Sequence, residues 1–417
     1  MNFIRSQHKL IYNLCFLTLA VALTSDLFLQ GLPEKLFYLV SYVGILFTVH
    51  HAWTNRKLPV EDRALLGFMI SLVLMAAARI IWGACFKETH WKDIHDNYVV
   101  GGKRFLLATF IIFWFYKARD KLSKTSLTAS VALILAGLIY TLWFAFQAHA
   151  NNDPRIKLTS DAATTASYLT VFVSLTCLYL AFQRFKSSAF SIALFFTILA
   201  VNVTLVILTE TRSAVLYAPV MYVLFFMMNY RKIHKAILYS CLAAFLAVII
   251  GTPYAIWDRM SQIKSDIDHY HENNDTSIGA RFSIWKSGWN SVNFGIVGQN
   301  SDERTEKARS YIVKYERDNP EAWKNVAYHL HNDMLEVLSL HGILGIVALL
   351  SFYLTGLIFA LSRRMRRNNG VLFIILPTFL FGLADTVLIQ GNTVLLICIC
   401  LAMMVTACNH NPNKPEV

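Results

Sequence analysis

The sequence predicts an all-α, polytopic integral membrane protein of about twelve transmembrane helices, with one large outer loop containing short helices. Three observations carry this prediction. Hydrophobic residues fill 56% of the 417 positions and charged residues only 15%, whereas a soluble domain is about 45–50% apolar and about 25% charged. The apolar residues recur in runs along the whole chain, with a mean hydropathy of +0.46, and most runs approach the roughly 20 residues that cross a bilayer as helix. One long polar stretch, 258–336, interrupts them. A soluble globular chain, a disordered chain and a single-anchor protein are all excluded.

Hydropathy places the spans at 10–30, 36–53, 64–84, 103–117, 126–147, 165–183, 190–208, 213–229, 235–257, 337–361, 370–388 and 392–408. The first follows Arg5 and Lys9 like a signal peptide, but it is long and has no small-residue cleavage site, so it reads as a retained anchor. With the N-terminus in the cytoplasm, the inner loops carry compact basic clusters: Arg56, Lys57 and Arg63; Lys117, Arg119, Lys121 and Lys124; Arg184 and Lys186; Arg231, Lys232 and Lys235; and Arg363, Arg364, Arg366 and Arg367. The positive-inside rule selects this orientation and returns the C-terminus to the cytoplasm. The net charge of +12 is therefore a topology signal and gives no reason to expect nucleic acid. The chain divides into 1–257 with spans 1–9, the outer loop 258–336, and 337–417 with spans 10–12. Within the loop, 258–271 has a helical pattern. A second follows Gly279, with Phe282, Trp285 and Trp289 on one face suited to the membrane interface. Residues 301–318 form a charged helix, Pro320 punctuates, and a final helix begins near Asn332.

The seven cysteines lie mostly in apolar runs, and none has zinc-ligand spacing. The chain has no GxxxxGK[ST], HExxH or GxSxG motif, so chemistry on the outer face calls for a substrate that arrives activated. Four features offer such chemistry. Thr209-Glu210-Thr211-Arg212-Ser213 puts Arg212 near a helix N-terminus, where the dipole and free N–H groups favour an anion and the guanidinium fork suits phosphate. Gly279-Ala280-Arg281-Phe282 opens the amphipathic pattern with Arg281. His329-Leu330-His331-Asn332-Asp333-Met334-Leu335-Glu336 supplies a proton acceptor at neutral pH, while Asp333 and Glu336 suit a helix-start cap. Arg79 and Asp385 are intramembrane charges near the outer side, suited to pair with each other or to line a cavity. Whether Arg79, Lys103, Arg104 or Asp385 touches substrate stays open at this point. The loop Lys87–Asp96 holds acids and histidines without a tight DxD pair and reads as a solvated loop.

Together these features resemble the bacterial O-antigen ligase family. Thr209–Arg212 follows a long apolar run, Gly279–Arg281 sits in a large outer loop, His329–Glu336 leads into the next helix, and Gly382-Leu383-Ala384-Asp385 comes late in the chain. The resemblance implies an inverting glycan transfer on the periplasmic face of the cell inner membrane, independent of metal, ATP and cofactor. The implied donor is O-antigen polysaccharide on undecaprenyl pyrophosphate, the acceptor is a sugar hydroxyl of the lipid A–core oligosaccharide, and membrane lipids surround both. It implies Arg212, Arg281 and His331 as catalytic, with His329, Arg79 and Asp385 as substrate-binding candidates and no metal ligands. His331 is preferred over His329 because it begins a His-Asn-acid unit. An O-antigen polymerase and a protein O-oligosaccharyltransferase are the near alternatives, and a flippase for lipid-linked glycan is the alternative from another class.

Overall fold

The computed structural model describes residues 2–55, 62–151, 155–160, 162–186, 188–230, 264–270, 274–362 and 370–406. All regular structure among them is helical, with no strand. Eight helices run through the first part of the chain: α1 (Asn2–Ser25), α2 (Leu32–Asn55), α3 (Arg63–Cys85), α4 (Lys92–Lys117), α5 (Lys124–Ala150), α6 (Ala163–Phe185), α7 (Ala189–Leu208) and α8 (Arg212–Asn229). Three shorter helices follow, α9 (Ser277–Asn290), α10 (Ser301–Tyr315) and α11 (Pro320–Asn325), and then α12 (Asp333–Leu361), α13 (Leu372–Ala384) and α14 (Gly391–Thr406). Nine of the described helices, α1–α8 and α12, are long and apolar enough to cross a membrane, and α13 and α14 are shorter apolar helices. Each predicted span except the ninth thus has its helix; the ninth, 235–257, lies outside the described residues.

The centre of the bundle is α6, buried along almost its whole length. Its sequence explains this: Ser167, Thr170, Ser174, Thr176 and Ala181 alternate with large apolar residues, and small residues let neighbouring helix backbones approach closely in lipid. It packs on α5, α7, α8, α13 and α14. Around the other side, α3 lies against α4 and α12, and α14 against α4. Serine, asparagine and aspartate open several helices by accepting from exposed N–H groups, as Asp62 does for α3, Ser123 for α5 and Ser188 for α7.

Two helices differ from their expected lengths. α4 begins at Lys92 rather than 103, because Ile94, Tyr98, Gly101 and Gly102 continue its buried face. α13 stops at Ala384, since Asp385 turns into extended backbone and out of the helix. The predicted helix over 258–271 falls partly outside the described residues; 264–268 is helical.

Between α8 and α12, the described residues from 274 onward form a small folded unit. Ala280 and Ile284 of α9, Ala308 and Ile312 of α10, and Ala322, Val326 and Leu330 form its core, with Trp285 and Leu335 packed against it. The α3–α4 connection is largely exposed, as expected, and also holds this unit. Asp302 accepts from Thr89 Oγ1 (2.8 Å) and the His90 N–H (2.8 Å), and Asn300 donates to the Glu88 carbonyl (2.8 Å). Trp82 Nε1 donates to the Gln299 carbonyl at 2.9 Å. A loop over 295–298 crosses α12 where that helix breaks at Gly342 (φ 61°): Ile343 N–H donates to the Gly295 carbonyl and Leu344 N–H to that of Ile296.

Candidate active site

The chain from Val326 to Asp333 turns sharply at His331, whose φ of 51° lies in the left-handed region that non-glycine residues seldom adopt. That turn brings the His329 and His331 rings edge to face, 4.2 Å apart. Asn332 then caps α12 by accepting from the Leu335 N–H (3.0 Å), and its side-chain amide donates to the Leu383 carbonyl (3.1 Å). Asp333 Oδ1 accepts the Leu388 N–H at 3.1 Å. A side chain at position 382 would collide with Asp333, so glycine there lets the two segments close up. His-Asn-Asp is thereby stapled to 382–388, the segment carrying Asp385. The two acids do not cap the helix as expected: Asp333 faces Leu388, and Glu336 turns away to Arg304 and the Leu330 N–H.

His331 Nδ1 lies 3.1 Å from Asp385 Oδ1, and His329 Nδ1 is 3.9 Å from the same atom. Asp385 Oδ1 also accepts the Thr386 N–H at 2.9 Å, and Oδ2 accepts from the Tyr168 hydroxyl at 3.4 Å. A carboxylate on Nδ1–H fixes the tautomer and leaves Nε2 with its lone pair. Burial, and next the charge of His331, push the His329 imidazole down to about 3, so it is neutral at ordinary pH.

Tyr168 links this pair to Arg212. Its hydroxyl lies 2.7 Å from Ser213 Oγ, in the first turn of α8. Thr211 leaves the α8 amides without a side-chain cap and instead donates to the Ala163 carbonyl (3.3 Å). Arg212 therefore stands at a helix N-terminus, which attracts negative charge. Arg155 Nε donates to the Thr209 carbonyl at 3.3 Å, bringing a further cation to this turn.

Arg281 comes from α9. That helix starts at Ser277, with Thr276 accepting from the Gly279 N–H, so Arg281 sits in its second turn rather than opening it as the sequence suggested. Trp285, one turn on, donates from Nε1 to the His331 carbonyl at 3.3 Å. Residues four apart share a helix face, so Arg281 stands on the same side as the histidines, and its charge bears on His329. Trp285 thus faces inward, while Trp289 is the exposed member of the predicted aromatic face.

Arg79 is elsewhere. It is buried with its guanidinium 5.1 Å from the centres of the Tyr98 and Phe105 rings, the carboxylate that bears on it is Asp333, and the expected pairing with Asp385 is replaced by the histidine contact. Arg104 is buried against Glu34 at 2.9 Å, and Lys103 is exposed. His329, His331 and Asp385 offer ligand atoms within 4.8 Å of one another, close enough to converge on one ion. The charge of Asp385 and, after it, those of Arg304 and Arg281 all bear on His329, in opposite senses. Sequence reasoning missed Tyr168 and Arg155 and placed Trp285 on a membrane-facing stripe instead of against His331. Of the two that were missed, Arg155, a cation just outside a span, gave a signal of its own.

A multi-helix membrane protein that sets a carboxylate-oriented histidine within the influence of Arg281, and joins it through Tyr168 to the start of the helix that carries Arg212, has parts suited to group transfer on an anionic substrate. Comparison with known proteins narrows that class. Residues 193–350 match the family described as O-antigen ligase. The chain is also 23% identical to an O-antigen ligase of Escherichia coli (strain K12), over 96% of its own length and 93% of that protein's. Both matches support the O-antigen ligase family for this chain, and with it an O-antigen ligase-type, glycosyl-transferring function.

Proposed function

We propose that the chain transfers O-antigen polysaccharide from undecaprenyl pyrophosphate to a sugar hydroxyl of lipid A–core, completing lipopolysaccharide. In this reading both termini are cytoplasmic, the protein spans the inner membrane many times, and the unit within 258–336 stands over the periplasmic face. The observation that supports it is the 3.1 Å contact of His331 with Asp385, joined through Tyr168 to the start of α8.

The chemistry follows from these groups. The acceptor hydroxyl oxygen attacks the anomeric carbon, the bond to the phosphate oxygen breaks, and the electron pair leaves with undecaprenyl pyrophosphate. His331 Nε2 takes the hydroxyl proton, and Asp385 stabilises the resulting imidazolium. A single displacement inverts the anomeric centre. Arg212, with the α8 amides, and Arg281 neutralise charge growing on the leaving group, where removing one such donor costs about 2.7–4 kcal/mol. The pyrophosphate is a good leaving group, so no acid is needed. His329, neutral and beside the base, serves as a hydrogen-bonding contact for substrate.

The test is transfer by the purified protein from undecaprenyl-pyrophosphate glycan to lipid A–core, with EDTA and without ATP. High-mass lipopolysaccharide that disappears in His331→Ala is the expected result. Longer lipid-linked glycan without lipopolysaccharide would identify a polymerase, and lipid movement across vesicles without transfer would identify a flippase.

A further inference from the structure

Arg304 and Glu336 form a completely buried ion pair, 3.2 Å from Nη1 to Oε2, with both side chains 0% exposed. The mechanism uses neither residue. The same Glu336 oxygen accepts the Leu330 N–H at 2.7 Å. Leu330 is the residue between the two histidines, and its side chain is locked in the core of the outer unit. One carboxylate therefore grips the backbone immediately before the left-handed turn at His331. Arg304 lies on α10, whose start is held by Glu88, Thr89 and His90 of the α3–α4 connection. It carries that anchorage to Glu336.

A buried pair of this kind is a poor source of net stability, because desolvating two charges offsets their attraction and an apolar replacement is often neutral. What an apolar replacement cannot supply is an acceptor for the Leu330 N–H, without which the turn keeps only the Leu330 side chain, the His331 N–H bond to His329 Nδ1 and the Trp285 bond to the His331 carbonyl. We propose that Glu336 is a positioning residue for the His331 base, acting through the Leu330 N–H, and that Arg304 holds the Glu336 carboxylate in place. The kinetic consequences rest on the glycan-transfer reading; the backbone consequence does not.

Two double variants separate positioning from bulk stability. Arg304→Met with Glu336→Gln removes both charges but keeps a carbonyl oxygen for Leu330, whereas Arg304→Met with Glu336→Leu removes the acceptor as well. Both are compared with wild type for thermal stability, for hydrogen exchange of the 326–336 peptide, and for kcat, KM and the pH profile of kcat in the purified transfer assay. The glutamine pair is expected to keep slow exchange at Leu330 and a kcat near wild type. The leucine pair is expected to melt with the glutamine pair but to exchange quickly at Leu330. Its kcat should fall on the order of 100-fold, the scale of loss for a base misplaced by about 1 Å, with little change in KM and with the pH limb of the base moved. Unchanged exchange at Leu330 in the leucine pair, or an equal loss of kcat in both pairs, overturns the proposal. Absence of transfer in wild type would instead count against the function, with the exchange comparison still deciding the role of Glu336.

Discussion

His331 and Asp385 stand 54 positions apart in the chain, at the ends of two different helices, yet Nδ1 and Oδ1 meet at 3.1 Å. The carboxylate dictates which imidazole nitrogen holds the proton. Asp385→Asn keeps the shape but lets the amide donate to Nδ1, which favours the opposite tautomer and occupies Nε2 with hydrogen. Its kcat for transfer should fall on the order of 100-fold or more, the share a general base contributes, with KM little changed. Steady-state kinetics of the purified variant checks this, and a wild-type kcat would show that His331 needs no orienting partner.

Arg212 and Arg281 stand on separate helices, and in the proposed reaction each neutralises charge on the leaving group. Replacing either by alanine is expected to reduce kcat/KM by roughly 100- to 1000-fold without loss of folded protein. Lysine should recover only part, since it keeps the charge and loses the planar fork. Transfer rates normalised to detergent-purified, monodisperse protein give the comparison.

Tyr168 is the link between α8 and the histidine–aspartate pair, at 2.7 Å from Ser213 and 3.4 Å from Asp385. Its ring stacks on Phe381 with centres 4.3 Å apart, so Tyr168→Phe should leave the packing intact. The hydroxyl and its bonds to Ser213 and Asp385 are lost; of these only the bond to Asp385 touches the orienting carboxylate, and its loss should lower the rate by about 3- to 10-fold. A loss as large as that of Asp385→Asn would assign Tyr168 a direct part in the chemistry.

The membrane class was legible in the sequence because hydropathy is a local property. Arg212, Arg281 and His331 were named as candidates because short motifs are local in the same way. The neighbours of each group were not. Hydropathy gives the depth of a residue in the bilayer but not the direction it faces around a bundle, so two buried opposite charges, Arg79 and Asp385, looked like partners. Their actual surroundings, Tyr98 with Phe105 and His331 with Tyr168, depend on how α3, α4, α6 and α13 pack. Tyr168 in an apolar span reads as core. The start of α9 was mistaken by one turn because Gly279 drew attention from Thr276, whose hydroxyl accepts from it.

His329 makes stability depend on pH. Its folded-state value of about 3 lies below the ordinary 6.5, so between those values the unfolded chain binds a proton that the folded chain does not. The stability this contributes is complete above pH 6.5 and falls as the pH drops toward 3. Wild type should therefore lose thermal stability from pH 7 to pH 4 faster than His329→Gln, which has no proton to bind. Melting both proteins in the same detergent at pH 7, 5.5 and 4 reads the difference; parallel curves would mean that the imidazole is protonated in the folded protein.

Gly342 is where α12 breaks beneath the outer unit, and its conformation, φ 61° with ψ −149°, is one that residues with a side chain avoid. A Cβ there would also run into the Gly295 carbonyl and lie within 2.6 Å of the Gly298 amide nitrogen. Both obstacles are backbone, held by the bonds from Ile343 and Leu344 to Gly295 and Ile296, so neither can move aside as a side-chain tip would. Gly342→Ala should therefore force the 295–298 crossing away from α12. The Gln299 N–H bond to the Leu340 carbonyl, 3.0 Å long, would go with it. The strain alone is worth about 1–3 kcal/mol, before the lost hydrogen bonds. Expected outcomes are a lower melting temperature and faster hydrogen exchange over 294–300, with α1–α8 unaffected. A variant that melts and exchanges like wild type would mean that the crossing does not depend on glycine at this break.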